Sequence, residues 1–138
     1  MSAPDFIDTN ILVYAYGTDA GSKQRIARDL VTRAVAGDIV TSIQVLAEFA
    51  ATLSHRLSPP PAPAAVLVAL DSLGPIRTVV PDADIVRRAM EAHHEYGIHF
   101  YDGMIVAAAE RAGCACIWTE DLNDGQSYFG VVARNPFA

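Results

Sequence analysis

Four acidic residues lie far apart in the chain but in similar local settings. They are Asp8 in Phe6-Ile7-Asp8-Thr9-Asn10, Glu48 in Leu46-Ala47-Glu48-Phe49, Asp102 in Phe100-Tyr101-Asp102-Gly103, and Asp121 in Trp118-Thr119-Glu120-Asp121. Each stands where a predicted strand passes into a helix, or along the apolar face of a predicted helix. Carboxylates gathered at low dielectric repel one another, so folding resists such a cluster unless a divalent cation neutralises it. Ligation by oxygen alone suits Mg²⁺, with Mn²⁺ as a substitute, and both ions suit chemistry on phosphate.

The surrounding pattern predicts how these residues are positioned. Phe6-Ile7 reads as a short strand ended by Asp8-Thr9-Asn10, and Ile11 to Tyr16 as one or two helical turns. Gly17 to Gly21 forms a loop, and Ser22 caps a helix running to Ala36, where Gly37 stops it. Ile39 to Thr41 is a second strand, and Ser42 caps a helix over 43–57. The run Ser58-Pro59-Pro60-Pro61-Ala62-Pro63 cannot continue that helix, because proline lacks the amide donor and clashes with the preceding turn. It reads as a stiff loop within one domain, since an interdomain linker there would leave two pieces too small for separate cores.

Residues 64–73 are predicted helical and 76–80 a strand. Asp82 starts a helix that Gly97 ends, and Tyr101 or Asp102 opens another that Gly113 ends. Strands follow over 114–119 and 131–133. Alternating strands and helices imply an α/β fold in one domain spanning residues 1–138, with a central parallel sheet flanked by helices on both faces.

In such sheets functional groups collect at the carboxyl ends of the strands. Asp8 and Asp121 each lie just past a predicted strand end, and Glu48 lies on the second turn of a helix that begins at one. Asp102 shares a helical face with Ile105, Val106 and Ala109, at offsets of three, four and seven. An unpaired carboxylate on that apolar face is costly. Taken singly, each acid has an ordinary use. Asp8 and Asp102 suit helix N-caps, Glu48 a solvated surface, and Asp121 a turn in Glu120-Asp121-Leu122-Asn123-Asp124-Gly125. Placement of all four on one edge is what ordinary uses do not account for.

Composition sets bounds on function. The 138 residues are 51% hydrophobic and 19% charged, which suits a packed domain. No apolar run approaches the ~20 residues of a membrane span. Met1-Ser2-Ala3-Pro4-Asp5 has no basic stretch, so no signal peptide is expected and the address is cytoplasmic. Cys114 and Cys116 alternate in an apolar segment and read as two small buried thiols, reduced in keeping with that address. The net charge of −6 weighs against binding a polyanion, because nucleic-acid affinity leans on cationic contacts. Local positives remain at Lys23, Arg25, Arg28 and Arg33 on one helix, and at Arg56, Arg87 and Arg88. His93 and His94 are adjacent and point apart on a helix. With His99 they read as surface or partly packed, not as a metal site. Tyr14, Tyr16, Phe100, Tyr101 and Trp118 read as core or interface rather than as platforms for stacking bases.

Other chemistries fit less well. An aspartyl-phosphate phosphatase needs two aspartates two positions apart, whereas Asp5 and Asp8 are three apart, and Lys23 is the sole lysine. The chain has no P-loop.

Phe6-Ile7-Asp8-Thr9-Asn10-Ile11-Leu12-Val13-Tyr14, Glu48-Phe49, Tyr101-Asp102-Gly103-Met104-Ile105-Val106-Ala107-Ala108-Ala109 and Thr119-Glu120-Asp121-Leu122-Asn123-Asp124-Gly125-Gln126 together resemble the PIN-domain family. Within it, the chain is similar to VapC-type toxins of bacterial toxin–antitoxin pairs over its whole length. The resemblance implies that Asp8, Glu48, Asp102 and Asp121 are catalytic, with Asp8, Asp102 and Asp121 on Mg²⁺ or Mn²⁺. It implies that Thr9, Asn10 and Thr119 position substrate or water. Motif matching favours Asp121 for the fourth acid, with Asp124 second and Glu120 in the same loop. The expected activity is a Mg²⁺-dependent endoribonuclease with an RNA substrate, an antitoxin protein partner, a homodimeric state and no membrane association. The alternative is a non-catalytic PIN-like scaffold that binds a protein or RNA.

Overall fold

The computed structural model describes residues 2–17 and 21–138. Six strands form one sheet: β1 (Asp5–Ile7), β2 (Ile39–Ser42), β3 (Thr78–Val79), β4 (Cys116–Trp118), β5 (Ser127–Tyr128) and β6 (Val131–Arg134), in the order β3-β2-β1-β4-β6-β5. All neighbours pair parallel except β5 with β6. The helices are α1 (Thr9–Tyr16), α2 (Ser22–Ala36), α3 (Ile43–His55), α4 (Pro63–Leu73), α5 (Ala83–Tyr96) and α6 (Phe100–Arg111).

The chain enters at the centre of the sheet, steps outward through β2 and β3, and then crosses back to lay β4 on the other side of β1. That reversal places the topological switch point between β1 and β4, where the connections leave in opposite directions and open a crevice at the strands' carboxyl ends. Register brings the two ends level, with Ile7 opposite Trp118. The residues that follow, Asp8 and Thr119, are therefore neighbours across a separation of 111 positions.

All four residues of β2 are buried. Alternate side chains of a strand point to opposite faces, so both faces of the sheet are covered, as parallel sheets require. Helix α1 packs on both α2 and α3, α3 packs on α4, and α5 and α6 form a separate antiparallel pair. Phe6, Ile7, Ile11, Leu12, Phe49 and Ile117 are fully buried at the centre of the core.

Local chemistry explains most element ends. Ser42 accepts a hydrogen bond from the Val45 amide and Asp82 one from the Ile85 amide, so both cap as expected. Gly37 and Gly97 take left-handed conformations (φ 110° and 69°) that end α2 and α5. Pro63 starts α4 at a first-turn position, where its missing amide costs nothing. Because α3 packs on α4, the proline segment is a loop inside the domain.

Three expectations differ from the structure. Ser22 is the first helical residue, and Gly21 stands at the cap position without a side-chain bond. The cap of α6 is His99, whose Nδ1 accepts from the Tyr101 amide at 3.1 Å, so neither Tyr101 nor Asp102 opens that helix. Strand β5 is additional, joined to β6 through Phe129-Gly130, both at positive φ. Part of the loop expected over Gly17–Gly21 lies outside the described residues. Cys114 and Cys116 are buried, free thiols, and burial pushes both up to about 12. No helix among the described residues is long and apolar enough to cross a membrane.

Candidate active site

Asp8 sits at the end of β1 and is only 3% exposed. Its Oδ1 accepts from the Thr9 amide at 2.7 Å, so it does cap α1. Capping alone does not require burial. Its Oδ2 accepts from the Thr119 hydroxyl at 2.7 Å, and that hydroxyl accepts in turn from the Asp121 amide at 3.0 Å. Thr119 thus ties the end of β1 to the loop after β4. Burial pushes the Asp8 carboxyl up to about 7. The bonds from Thr119 and the Thr9 amide oppose this, and the nearby charges of Asp121 and Glu48 reinforce it.

Glu48 projects from α3 toward the same place. Its Oε2 accepts from the Thr9 hydroxyl at 3.1 Å, and its Oε1 from Gln44 Nε2 at 2.6 Å. Gln44 also donates to the Tyr101 carbonyl at 3.1 Å, joining α3 to the first turn of α6. Asp102 is the third residue of α6 and half-buried. Its carboxyl is raised by burial first and by Asp121 and Glu48 next, while His99 lowers it.

Gly103 explains how α6 reaches this position. A Cβ there would lie 2.6 Å from the Ala89 carbonyl oxygen of α5. Only glycine permits so close a backbone approach. The N-terminus of α5 is tied to the C-terminus of α6 by a two-pronged Arg111–Asp82 pair at 2.7 and 2.9 Å.

The three loop acids separate clearly. Glu120 faces away from Asp8: Tyr14 Oη donates to it at 2.6 Å, and Lys23 pairs with it at 2.7 Å. Asp124 accepts from the Asn135 amide at 2.9 Å and braces the chain beyond β6. Asp121 accepts from Asn10 Nδ2 at 3.0 Å and is the one whose charge reaches both Asp8 and Asp102.

The structure therefore brings Asp8, Thr9, Asn10, Glu48, Asp102, Thr119 and Asp121 to one sheet edge and places Asp124 elsewhere. Gln44, which orients Glu48, is a residue that sequence reasoning passed over. Its spacing of four from Glu48 on one helix was the available sign.

The donor set suits a hard divalent cation, being made of carboxylate and amide oxygens. Asn10 Oδ1 strengthens the fit: it is buried and has no hydrogen-bond partner among the described residues. Such an orphaned acceptor asks for a cation or a water held by one. The side chains are not yet closed around a point. Among the described residues no three acidic, histidine or cysteine side chains are gathered tightly enough to enclose an ion. Thr9 and Gln44 donate to Glu48, Thr119 to Asp8 and Asn10 to Asp121, and a cation would compete for those oxygens.

Several cations expected at the surface are engaged. Lys23 pairs with Glu120, Arg33 with Asp5, and Arg88 with Glu110 and Glu91. Arg28 donates to the Ala15 carbonyl at 3.1 Å. Tyr14, Tyr16, Phe100 and Trp118 are half-buried as expected, but Tyr101 is 57% exposed. His93, His94 and His99 are exposed.

Comparison with known proteins agrees with this architecture. None of the curated protein sequences matches the chain. Its backbone is similar to a toxin–antitoxin complex from Klebsiella pneumoniae (20% identity, TM-score 0.70, covering 98% of each chain). It is also similar to FitAcB from Neisseria gonorrhoeae (18% identity, TM-score 0.69, covering 96% of this chain and 98% of that one). A third similar structure is Mycobacterium tuberculosis VapC20, described as a sarcin–ricin-loop-cleaving toxin (20% identity, TM-score 0.68, covering 93% and 98%). The PIN-domain family model matches residues 6–125, a span that runs from Phe6, just before Asp8, past Asp121, and the chain belongs to the PIN-domain family.

Proposed function

We propose that the chain is a Mg²⁺-dependent endoribonuclease, with Mn²⁺ able to substitute, and the toxin of a toxin–antitoxin pair. The observation that carries this reading is the convergence of Asp8, Glu48, Asp102 and Asp121 at the sheet's switch point, beside Asn10, which donates to Asp121 and whose buried Oδ1 has no partner among the described residues. Similarity to a toxin–antitoxin complex and to an RNA-cleaving toxin supports the choice of substrate and partner.

Asp8, Asp102 and Asp121 would hold the cation, which supplies charge neutralisation at the phosphate and acidifies a water. The chain's own groups do the rest. Glu48, gripped by Gln44 and Thr9, orients the attacking water and accepts its proton. Thr119 donates to Asp8 and so favours its ionised form against the effect of burial. Asn10 aims Asp121 by donating to it.

The antitoxin blocks the site by presenting an arginine or lysine to the acidic cluster, imitating the cation's charge while excluding RNA. Such binding weakens as salt rises. Exposed Leu67 and Val68 on α4 and Val86 and Met90 on α5 support a homodimer, which light scattering at micromolar concentration would report. We place the protein in the cytoplasm, where its RNA substrate and its reduced thiols both belong.

Incubation of the purified protein with total cellular RNA, in Mg²⁺, in Mn²⁺ and in EDTA, followed by mapping of the new ends, tests the function. Discrete cuts with either ion and none in EDTA are expected. RNA left intact in all three would favour the scaffold alternative.

A further inference from the structure

An open cleft of about 360 Å³ runs along α3 beside the carboxylates, from Gln44 to Arg56, with Tyr101 of α6 also lining it. Glu48 lines it too, so the cleft is continuous with the acidic cluster. Ala47 and Ala51 keep it open, because larger side chains at those positions would fill it.

The chemistry of its lining is specific. Tyr101 is more than half exposed, and its ring stacks on His99 (centroids 5.8 Å apart, planes at 24°), which caps α6. The protein thus holds a flat aromatic face outward next to Asp102. Arg56, eight residues and roughly 12 Å along α3 from Glu48, is exposed, and no carboxylate among the described residues pairs with it. Arg25, Arg77, Arg87 and Arg134 likewise form no ion pair among the described residues, but Arg56 is the arginine that lines this cleft, where it offers a place for an anion.

We propose that this cleft is the subsite for one unpaired nucleotide adjoining the cleaved bond, its base stacked on Tyr101 and its phosphate held by Arg56. The proposal rests on the ribonuclease reading above and adds where the strand lies. An aromatic face combined with a cation is how single strands are held without a duplex, since every base has a π-face and every nucleotide a phosphate. A paired base must first break its pairing and stacking to enter the cleft, so the subsite favours loops and ends of RNA over helices. The cleft thereby contributes to the choice of cleavage site.

Steady-state cleavage of a single-stranded oligoribonucleotide carrying the mapped site tests this, using wild type, Tyr101→Phe, Tyr101→Ala and Arg56→Ala. Tyr101→Ala is expected to raise KM by about 5- to about 150-fold, the range of one lost base–aromatic stack. Tyr101→Phe keeps the ring and stays near wild type. Arg56→Ala raises KM and reduces the slope of log KM against log salt by about 0.7, the effect of one phosphate contact on a single strand. Thermal melting of each variant separates binding from folding. If Tyr101→Ala does not fold, Ala51→Trp, which fills the cleft from an exposed position, takes its place and must also raise KM. Wild-type cutting with unchanged KM and salt slope in the alanine variants would overturn the subsite and leave the ribonuclease intact. A wild type that cuts no RNA in Mg²⁺ or Mn²⁺ overturns the ribonuclease reading, and the subsite with it.

Discussion

At the scale of single residues, Asp8 shows how one position serves structure and chemistry together. It caps α1, as an aspartate after a strand often does, but its burial and its bond from Thr119 go beyond capping. Burial raises its carboxyl from 3.8 to about 7. Because the folded value lies above the unfolded one, the folded state binds more protons between them, and stability falls as pH rises through that window. We predict that the cation-free protein loses stability between about pH 4 and about pH 7, that Asp8→Asn flattens this dependence, and that urea melts at a series of pH values show both. The same substitution keeps shape and capping ability while removing a ligand charge. RNA cleavage by Asp8→Asn, and by Asp102→Asn, is therefore expected to drop by on the order of 10²-fold or more, with circular dichroism unchanged. Wild-type rates in both variants would reduce these aspartates to structural roles. Asp8, Glu48 and Asp102 were legible in the sequence because strand ends and helix periodicity carry local signs. For the fourth acid, motif resemblance favoured Asp121, but local pattern alone did not make the choice among Glu120, Asp121 and Asp124. That choice depends on Lys23, Tyr14, Asn10 and Asn135, partners that only the tertiary fold brings to that loop.

At the scale of elements, the site depends on α3 and α6 arriving at the carboxyl end of the sheet with their acids inward. Ser42 begins α3 directly from β2, which fixes Glu48 on the second turn. Ser42→Ala should cost about 1 kcal/mol by loss of the cap, measurable by denaturant melting. Gly103 lets α6 approach α5 within a distance that excludes a Cβ. Gly103→Ala is expected to destabilise by about 1–3 kcal/mol, as overpacking against backbone does, and to lower activity further by displacing the neighbouring Asp102. An alanine variant that melts with wild type would show that the two helices have room to part. Helices with clear periodicity and glycine stops were legible to within a few residues. Strand β5 was not: it has two residues, pairs antiparallel at an edge, and turns through Phe129, a bulky residue at positive φ where hairpin signs favour Asn, Asp or Gly. Histidine at the cap of α6 was equally hidden, since Ser, Thr, Asp and Asn are the usual caps.

At the scale of the whole molecule, the sheet order explains why four acids so distant in sequence share one place. The switch point between β1 and β4 gathers Asp8 and Asp121, and the helices that follow β2 and α5 add Glu48 and Asp102. The negative net charge, which seemed to oppose RNA binding, is concentrated in part at that edge, where a cation would cancel it. A cation that binds only the folded state stabilises by mass action, by about 2.7 kcal/mol at a hundredfold excess over its dissociation constant. Thermal melting of wild type and Asp8→Asn near pH 8, in EDTA and in graded Mg²⁺ or Mn²⁺, is the most direct test of the central claim that these carboxylates form a divalent-cation site. The wild-type melting temperature should climb with cation concentration while that of Asp8→Asn moves far less. Identical wild-type curves in EDTA and in saturating Mg²⁺ and Mn²⁺ would contradict it.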